Sequence, residues 1–119
     1  MKKILVVEDE KNIRETLVDI LQIKGFDVYE ADNGQVGLDK VKSVQPDLII
    51  SDIMMPVMDG FEMIKMIRKD DQVSHIPILV LSAKAELEDV QKGFNIGIDD
   101  YLLKPFDMSS AMHAIESLI

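Results

Sequence analysis

The chain has 119 residues, the size of one domain and enough to bury a sizeable core. It is 47% hydrophobic and 29% charged, and its formal net charge of -9 argues against a nucleic-acid surface, because counterion release needs clustered lysine and arginine. Without cysteine, disulfides, thiolate metal sites and cysteine nucleophiles are excluded, and the composition fits a reducing cytoplasm.

Met1-Lys2-Lys3 could open a signal segment, but the apolar run after it is only Ile4 to Val7 before Glu8-Asp9-Glu10. No later run approaches transmembrane length, so no membrane partner is expected. Ile4 to Val7 reads instead as a buried, β-branched first strand with Glu8 and Asp9 at its carboxyl end. Ile13, Leu17, Ile20 and Leu21 follow helical spacing, and Lys24-Gly25 stops the helix over 11–24. Phe26 to Ala31 is the second strand. A helix follows Asp32-Asn33-Gly34, with Leu38, Val41 and Val44 on one face and Pro46 ending it.

The third strand, Asp47 to Ser51, is apolar enough to be buried on both faces and delivers Asp52 to its carboxyl end. Asp59 is placed to cap a helix that buries Phe61, Ile64 and Ile67 and runs out over Arg68 to His75. Pro77 to Leu81 is a fourth strand ending on Ser82, with proline at its first residue, where a missing donor is tolerated. Glu86 to Phe94 reads as a short helix with Leu87, Val90 and Phe94 inward. Tyr101 to Leu103 is a brief fifth strand before Lys104-Pro105, and Asp107 caps a last helix burying Ala111, Met112, Ile115 and Leu118.

Five strands alternating with five helices predict an α/β, doubly wound parallel sheet with right-handed crossovers. Strand order stays open between the flavodoxin-like and the dinucleotide-binding arrangements. The absence of G-x-G-x-x-G after the first strand argues against the second. Glu8, Asp9, Asp52, Ser82 and Lys104 gather at the ends of strands one, three, four and five, whereas the second strand contributes nothing comparable. That asymmetry suits an edge position for the second strand and a site at the switch point between strands one and three.

Crowded carboxylates repel one another and call for a divalent cation. With hard oxygen ligands and no histidine or cysteine nearby, Mg²⁺ is the natural occupant. A cation, a lysine and a hydroxyl around one carboxylate make a phosphoryl site. Asp52 can serve as nucleophile, with Lys104 and Ser82 meeting phosphate oxygens.

Four stretches carry a family resemblance: Ile4-Leu5-Val6-Val7-Glu8-Asp9-Glu10, Ser51-Asp52-Ile53-Met54-Met55-Pro56-Val57-Met58-Asp59-Gly60, Leu81-Ser82-Ala83-Lys84, and Gly97-Ile98-Asp99-Asp100-Tyr101-Leu102-Leu103-Lys104-Pro105-Phe106. In this order and at these spacings the chain resembles, over its whole length, a receiver domain of bacterial two-component response regulators. The resemblance implies a flavodoxin-like sheet of order 2-1-3-4-5 and one receiver domain over residues 1–119 with no output domain in this chain. It implies a phosphorylation-dependent switch that is not an enzyme beyond Mg²⁺-dependent self-phosphorylation and autodephosphorylation. Asp52 would take phosphate from a histidine kinase or phosphotransfer protein.

By the same resemblance Asp9, Asp52 and the backbone carbonyl of Met54 would hold Mg²⁺, with Glu8 acting through water. Ser82 and Tyr101 match the family's switch pair, Met54 and Lys84 tune hydrolysis of the acyl phosphate, and the Lys104-Pro105 bond is cis. Output would pass through the face of the fourth helix, fifth strand and last helix to an unidentified effector or a phosphorylation-dependent homodimer. Ala111-Met112-His113-Ala114 lacks the basic residue that family dimers use there, despite Lys92, Asp99 and Asp100.

Simpler roles compete at several positions. Glu10, His75 and His113 read as surface or rim residues, and Met63, Met66, Met108 and Met112 as core or rim packing. Two rivals to the switch are a haloacid-dehalogenase-like phosphatase and a receiver-like interaction module with a dead site. The first needs D-x-D-x-T, whereas Met54 stands two residues after Asp52; the intact acids and Lys104 argue against the second.

Overall fold

The computed structural model describes residues 1–83, 88 and 94–119. Its sheet is parallel, in the order β2-β1-β3-β4-β5. The strands are β1 (Lys3–Val7), β2 (Asp27–Ala31), β3 (Leu48–Asp52), β4 (Ile78–Ser82) and β5 (Asp100–Leu103). Among the described residues there are four α-helices, α1 (Lys11–Ile23), α2 (Gly34–Val44), α3 (Gly60–Lys69) and α4 (Met108–Leu118). Most of the helix expected over 86–94, with its inward Leu87 and Val90, and the positions Lys84 and Lys92 lie outside the described residues. A 3-10 turn at Phe94–Ile96 leads into β5.

Strand burial explains the apolar runs. Every residue of β3 and β4 is buried, as is β1 beyond Lys3, whereas the edge strands β2 and β5 are mostly half-buried. Alternate residues feed opposite faces. Leu5, Val7, Ile49, Ile78 and Val80 pack with Leu38 and Val41 of α2 and Met63, Ile64 and Ile67 of α3. Ile4, Val6, Ile50, Leu79 and Leu81 pack with Leu17 and Leu21 of α1 and Ala114 and Ile115 of α4. The chain thus winds both ways from β1, with α1 and α4 on one face and α2 and α3 on the other.

The helix starts follow from capping chemistry. Asn33, Asp59 and Asp107 each accept a backbone N–H from the first turn of their helix. Glu10, expected only as surface, caps α1 by accepting from Asn12 and Ile13. Gly25, at φ +95°, turns the chain out of α1, and Gln45 takes a left-handed φ of 51° to close α2 before Pro46.

Some core assignments shift along their helices. In α3 Met63 is fully buried while Phe61 is half-buried, and in α1 Val18 is buried while Ile13 and Ile20 are half-buried. Val44 and Leu118, the last residues of their helices, are likewise half-buried, as is Met112 in the middle of the last helix. At the end of α3, Arg68 turns back to donate to the carbonyls of Ser74, Ile76 and Gly97 and to the Asp99 carboxylate. That guanidinium fastens the loop before β4 and the approach to β5.

Candidate functional site

Parallel register brings the predicted side chains to one level. Val7 pairs with Ser51, so the next residues, Glu8 and Asp52, leave neighbouring strands side by side. Ser82 pairs with Leu103, which puts Lys104 just beyond β5 on the same edge. Glu8, Asp9 and Asp52 each offer a carboxylate oxygen, and the three lie within 4.8 Å of one another. Lys104 reaches them with Nζ 3.0 Å from Asp52 Oδ2 and 3.5 Å from Glu8 Oε1.

Burial separates the roles of the acids. Glu8 is fully buried, Asp52 is 6% exposed and Asp9 is exposed. The backbone N–H of Ile53 donates to Asp52 Oδ1 at 2.8 Å while Lys104 holds Oδ2, so both carboxylate oxygens are oriented. Glu8 Oε2, by contrast, is buried without a hydrogen-bond partner. Burial, hydrogen bonding with Asp52 and repulsion from Asp52 and Asp9 together push the Glu8 carboxyl up to about 8, against the pull of Lys104. For Lys104, burial opposes the charge, but hydrogen bonding and attraction to Asp52 and Glu8 outweigh it and raise its pKa.

These residues fit a divalent cation. The donors are hard carboxylate oxygens, two of the three carboxylates are buried, and one oxygen lacks the partner a buried acceptor requires. Mg²⁺-type coordination by one or two carboxylates and water suits such a set.

The loop after Asp52 is tightly folded. A Cβ on Gly60 would sit 2.4 Å from the Asp52 carbonyl oxygen, and the Gly60 N–H closes the loop onto Ile53 O at 2.8 Å. Between them Val57 is held at φ 69°, an uncommon conformation for a β-branched residue. Met54 and Val57 are 68% and 82% exposed beside the site. Ser82 is buried, and its hydroxyl donates to Ala83 O at 2.9 Å. Tyr101 is half-buried against the core on the α2–α3 face. The Lys104-Pro105 bond is cis. His75 and His113 are exposed.

One neighbour went unnoticed in the sequence. Arg14 of α1 donates to the Glu8 carbonyl and pairs with Glu30 at the end of β2. Its signal was positional: a side chain one turn into a helix leans toward the helix N-terminus, here over the Glu8–Glu10 turn.

Among the described residues no helix is long and apolar enough to cross a membrane. The family model for the response regulator receiver domain matches residues 4–116. The chain is 36% identical over 119 residues to the DNA-binding dual master transcriptional regulator RpaA of Synechocystis sp., covering 100% of this chain and 49% of that protein. It is 40% identical over 118 residues to the alkaline phosphatase synthesis transcriptional regulatory protein PhoP of Bacillus subtilis, covering 99% of this chain and 48% of that one. The chain therefore spans about half the length of these curated relatives. The solved structure of the chemotaxis response regulator CheY4 of Vibrio cholerae matches with a TM-score of 0.93 at 35% identity, covering 100% of this chain and 99% of that chain. With a family match across nearly its whole length, on this sheet and with this acid edge, the chain belongs to the response regulator receiver domain family, the phosphorylation-dependent signalling switches of two-component systems.

Proposed function

We propose that Asp52 is the phosphoacceptor and that the donor is a phosphohistidine on a histidine kinase or phosphotransfer protein. A carboxylate oxygen of Asp52 forms a bond to phosphorus as the phosphorus–imidazole nitrogen bond breaks, and the bonding pair stays on the imidazole. What supports this most is the Asp52 carboxylate itself: nearly buried at a strand end, oriented by Ile53 N–H and Lys104, and crowded by Glu8 and Asp9. Lys104 stands ready to move from Asp52 to a phosphoryl oxygen. Asp9, Asp52 and the Met54 carbonyl would hold Mg²⁺, with Glu8 acting through water. Bound there, the cation would neutralise charge on the transferring group.

Ser82 and Tyr101 carry the message in this reading. The Ser82 hydroxyl leaves the Ala83 carbonyl for a phosphoryl oxygen, and the Tyr101 ring follows inward from its half-buried position. That shifts an existing equilibrium at the face of β5 and α4, toward an effector, an output domain or a second copy. The donor approaches along an apolar groove of about 540 Å³ between α1 and the segment after β5, lined by Ile13, Leu17, Lys104, Pro105 and Phe106. Lys104 lines this groove and pairs with Asp52, which supports an approach of the phosphohistidine from this side. In this reading the domain works in the cytoplasm, and its catalysis is limited to Mg²⁺-dependent self-phosphorylation from small phosphodonors and autodephosphorylation.

The test is incubation with acetyl phosphate and Mg²⁺, followed by intact-mass measurement. Wild type is expected to gain one hydroxylamine-sensitive phosphoryl group and Asp52→Asn none. Equal labelling of both, or no labelling of wild type by acetyl phosphate and by a cognate kinase, overturns the assignment.

A further inference from the structure

Glu8 is an awkward residue to keep where it is. Its carboxylate is fully buried beside Asp52 and Asp9, one oxygen lacks a partner, and it lies just past the end of β1, outside the sheet ladder. Repulsion among the acids favours swinging that turn away, yet its backbone is fastened on both sides. The Glu8 N–H donates to Ala31 O at 3.0 Å, and the Glu8 carbonyl accepts from Arg14 Nη1 at 2.8 Å.

Arg14 is itself held in place. Its side chain is 14% exposed, and Nε donates to Glu30 Oε1 at 3.0 Å. The Glu30 carbonyl in turn accepts from Lys40 of α2. The guanidinium therefore bridges two elements with separate N–H groups of one rigid plane, a pairing that a lysine ammonium does not reproduce.

We infer that Arg14 is a positioning residue for the divalent-cation pocket, acting through the Glu8 carbonyl to hold the Glu8–Asp9 turn against the repulsion of its own carboxylates. The inference rests on the cation reading of the acid cluster and adds the residue that sets the cluster's geometry. It predicts the opposite sign from simple electrostatics. Arg14 is a cation close to a cation site, so charge removal alone would tighten Mg²⁺ binding, whereas loss of positioning weakens it.

The experiment is calorimetric titration of the unphosphorylated protein with Mg²⁺, for wild type, Arg14→Met and Arg14→Lys, with thermal melts in chelator to confirm folding. Arg14→Met is expected to raise the Mg²⁺ Kd about tenfold or more, the scale at which outer partners of metal ligands act. Arg14→Lys, which keeps the charge and perturbs folding least, is expected to raise it several-fold. Unchanged or tighter binding by these folded variants overturns the inference and leaves the cation site standing. A wild type that binds no Mg²⁺ overturns the cation reading and this inference together.

Discussion

Removing divalent cations turns Glu8 into a measurable defect. In the unfolded chain its carboxyl has the ordinary value of 4.5, and in the folded chain it stands at about 8. Between those values the folded state holds a proton that the unfolded state has lost, so raising the pH favours unfolding. The stabilising proton is fully present at the acid end of the window and is lost as pH rises through the folded value. From about pH 6 to about pH 8 the linkage relation gives a loss of about 2 kcal/mol. For a domain of this size that lowers Tm by roughly 8 °C.

Glu8→Gln keeps the shape and cannot ionise. The difference between wild type and Glu8→Gln therefore reports the ionisation of Glu8 together with its repulsion from Asp52 and Asp9. Urea unfolding in chelator at both pH values is the assay, and wild type is expected to lose about 2 kcal/mol more than the variant. Saturating Mg²⁺ should erase the excess loss by binding the ionised cluster in the folded state. Equal losses for the two proteins in chelator would refute the assignment of a buried, repelled carboxyl to Glu8.

Lys104→Met leaves Asp52 and Glu8 without their counter-charge and is expected to cost about 2–3 kcal/mol at pH 8 in chelator, read from the urea midpoint. It should also tighten Mg²⁺ binding in calorimetry, because the ammonium 3.0 Å from Asp52 no longer competes with the ion. Val57→Gly should raise stability by about 1 kcal/mol, since glycine accepts positive φ and the exposed valine has little packing to lose. Unchanged or lower stability would show that the loop does not strain Val57.

Much of this arrangement was legible in the residues. The apolar runs that lead to Glu8, Asp52 and Ser82 are strands because burial on both sheet faces leaves no polar stripe; the structure starts the first one residue earlier and shifts the other two by one residue, dropping Asp47 and Pro77 and taking in Asp52 and Ser82. Asp59 and Asp107 cap as expected, since a short carboxylate before an apolar period has one strong local use. Phe61 and Met63 were harder to rank, because a helix face wider than a strict stripe admits both and only the shape of the α2 contact selects Met63. The role of Glu10 hid behind its neighbours: within three consecutive acids, capping and metal binding look alike until backbone N–H groups are placed. Arg14 and Arg68 were invisible because their partners are mostly backbone carbonyls, which no side-chain pattern advertises.

The register of the sheet explains why the acids cannot escape one another by small motions. Val7 opposite Ser51 fixes Asp52 and the residue just past β1, Glu8, at the ends of strands that run about 4.8 Å apart. A slip of one residue would turn every core side chain of β3 toward the wrong layer, at a cost far above any carboxylate repulsion. Asp52 is the last residue of its strand and still within the ladder, whereas Glu8 and Asp9 have left theirs. The freedom that remains at the site therefore lies in the β1–α1 turn and in the loop behind Asp52. Those are the places where the chain invests its special contacts: Arg14 on the Glu8 carbonyl, and Gly60 pressed against the Asp52 carbonyl. A rigid sheet edge that forces negative charges together, with tethered turns on either side, resists relaxation until cation or proton arrives. That is the condition under which a change at Asp52 is passed to its neighbours and not absorbed locally.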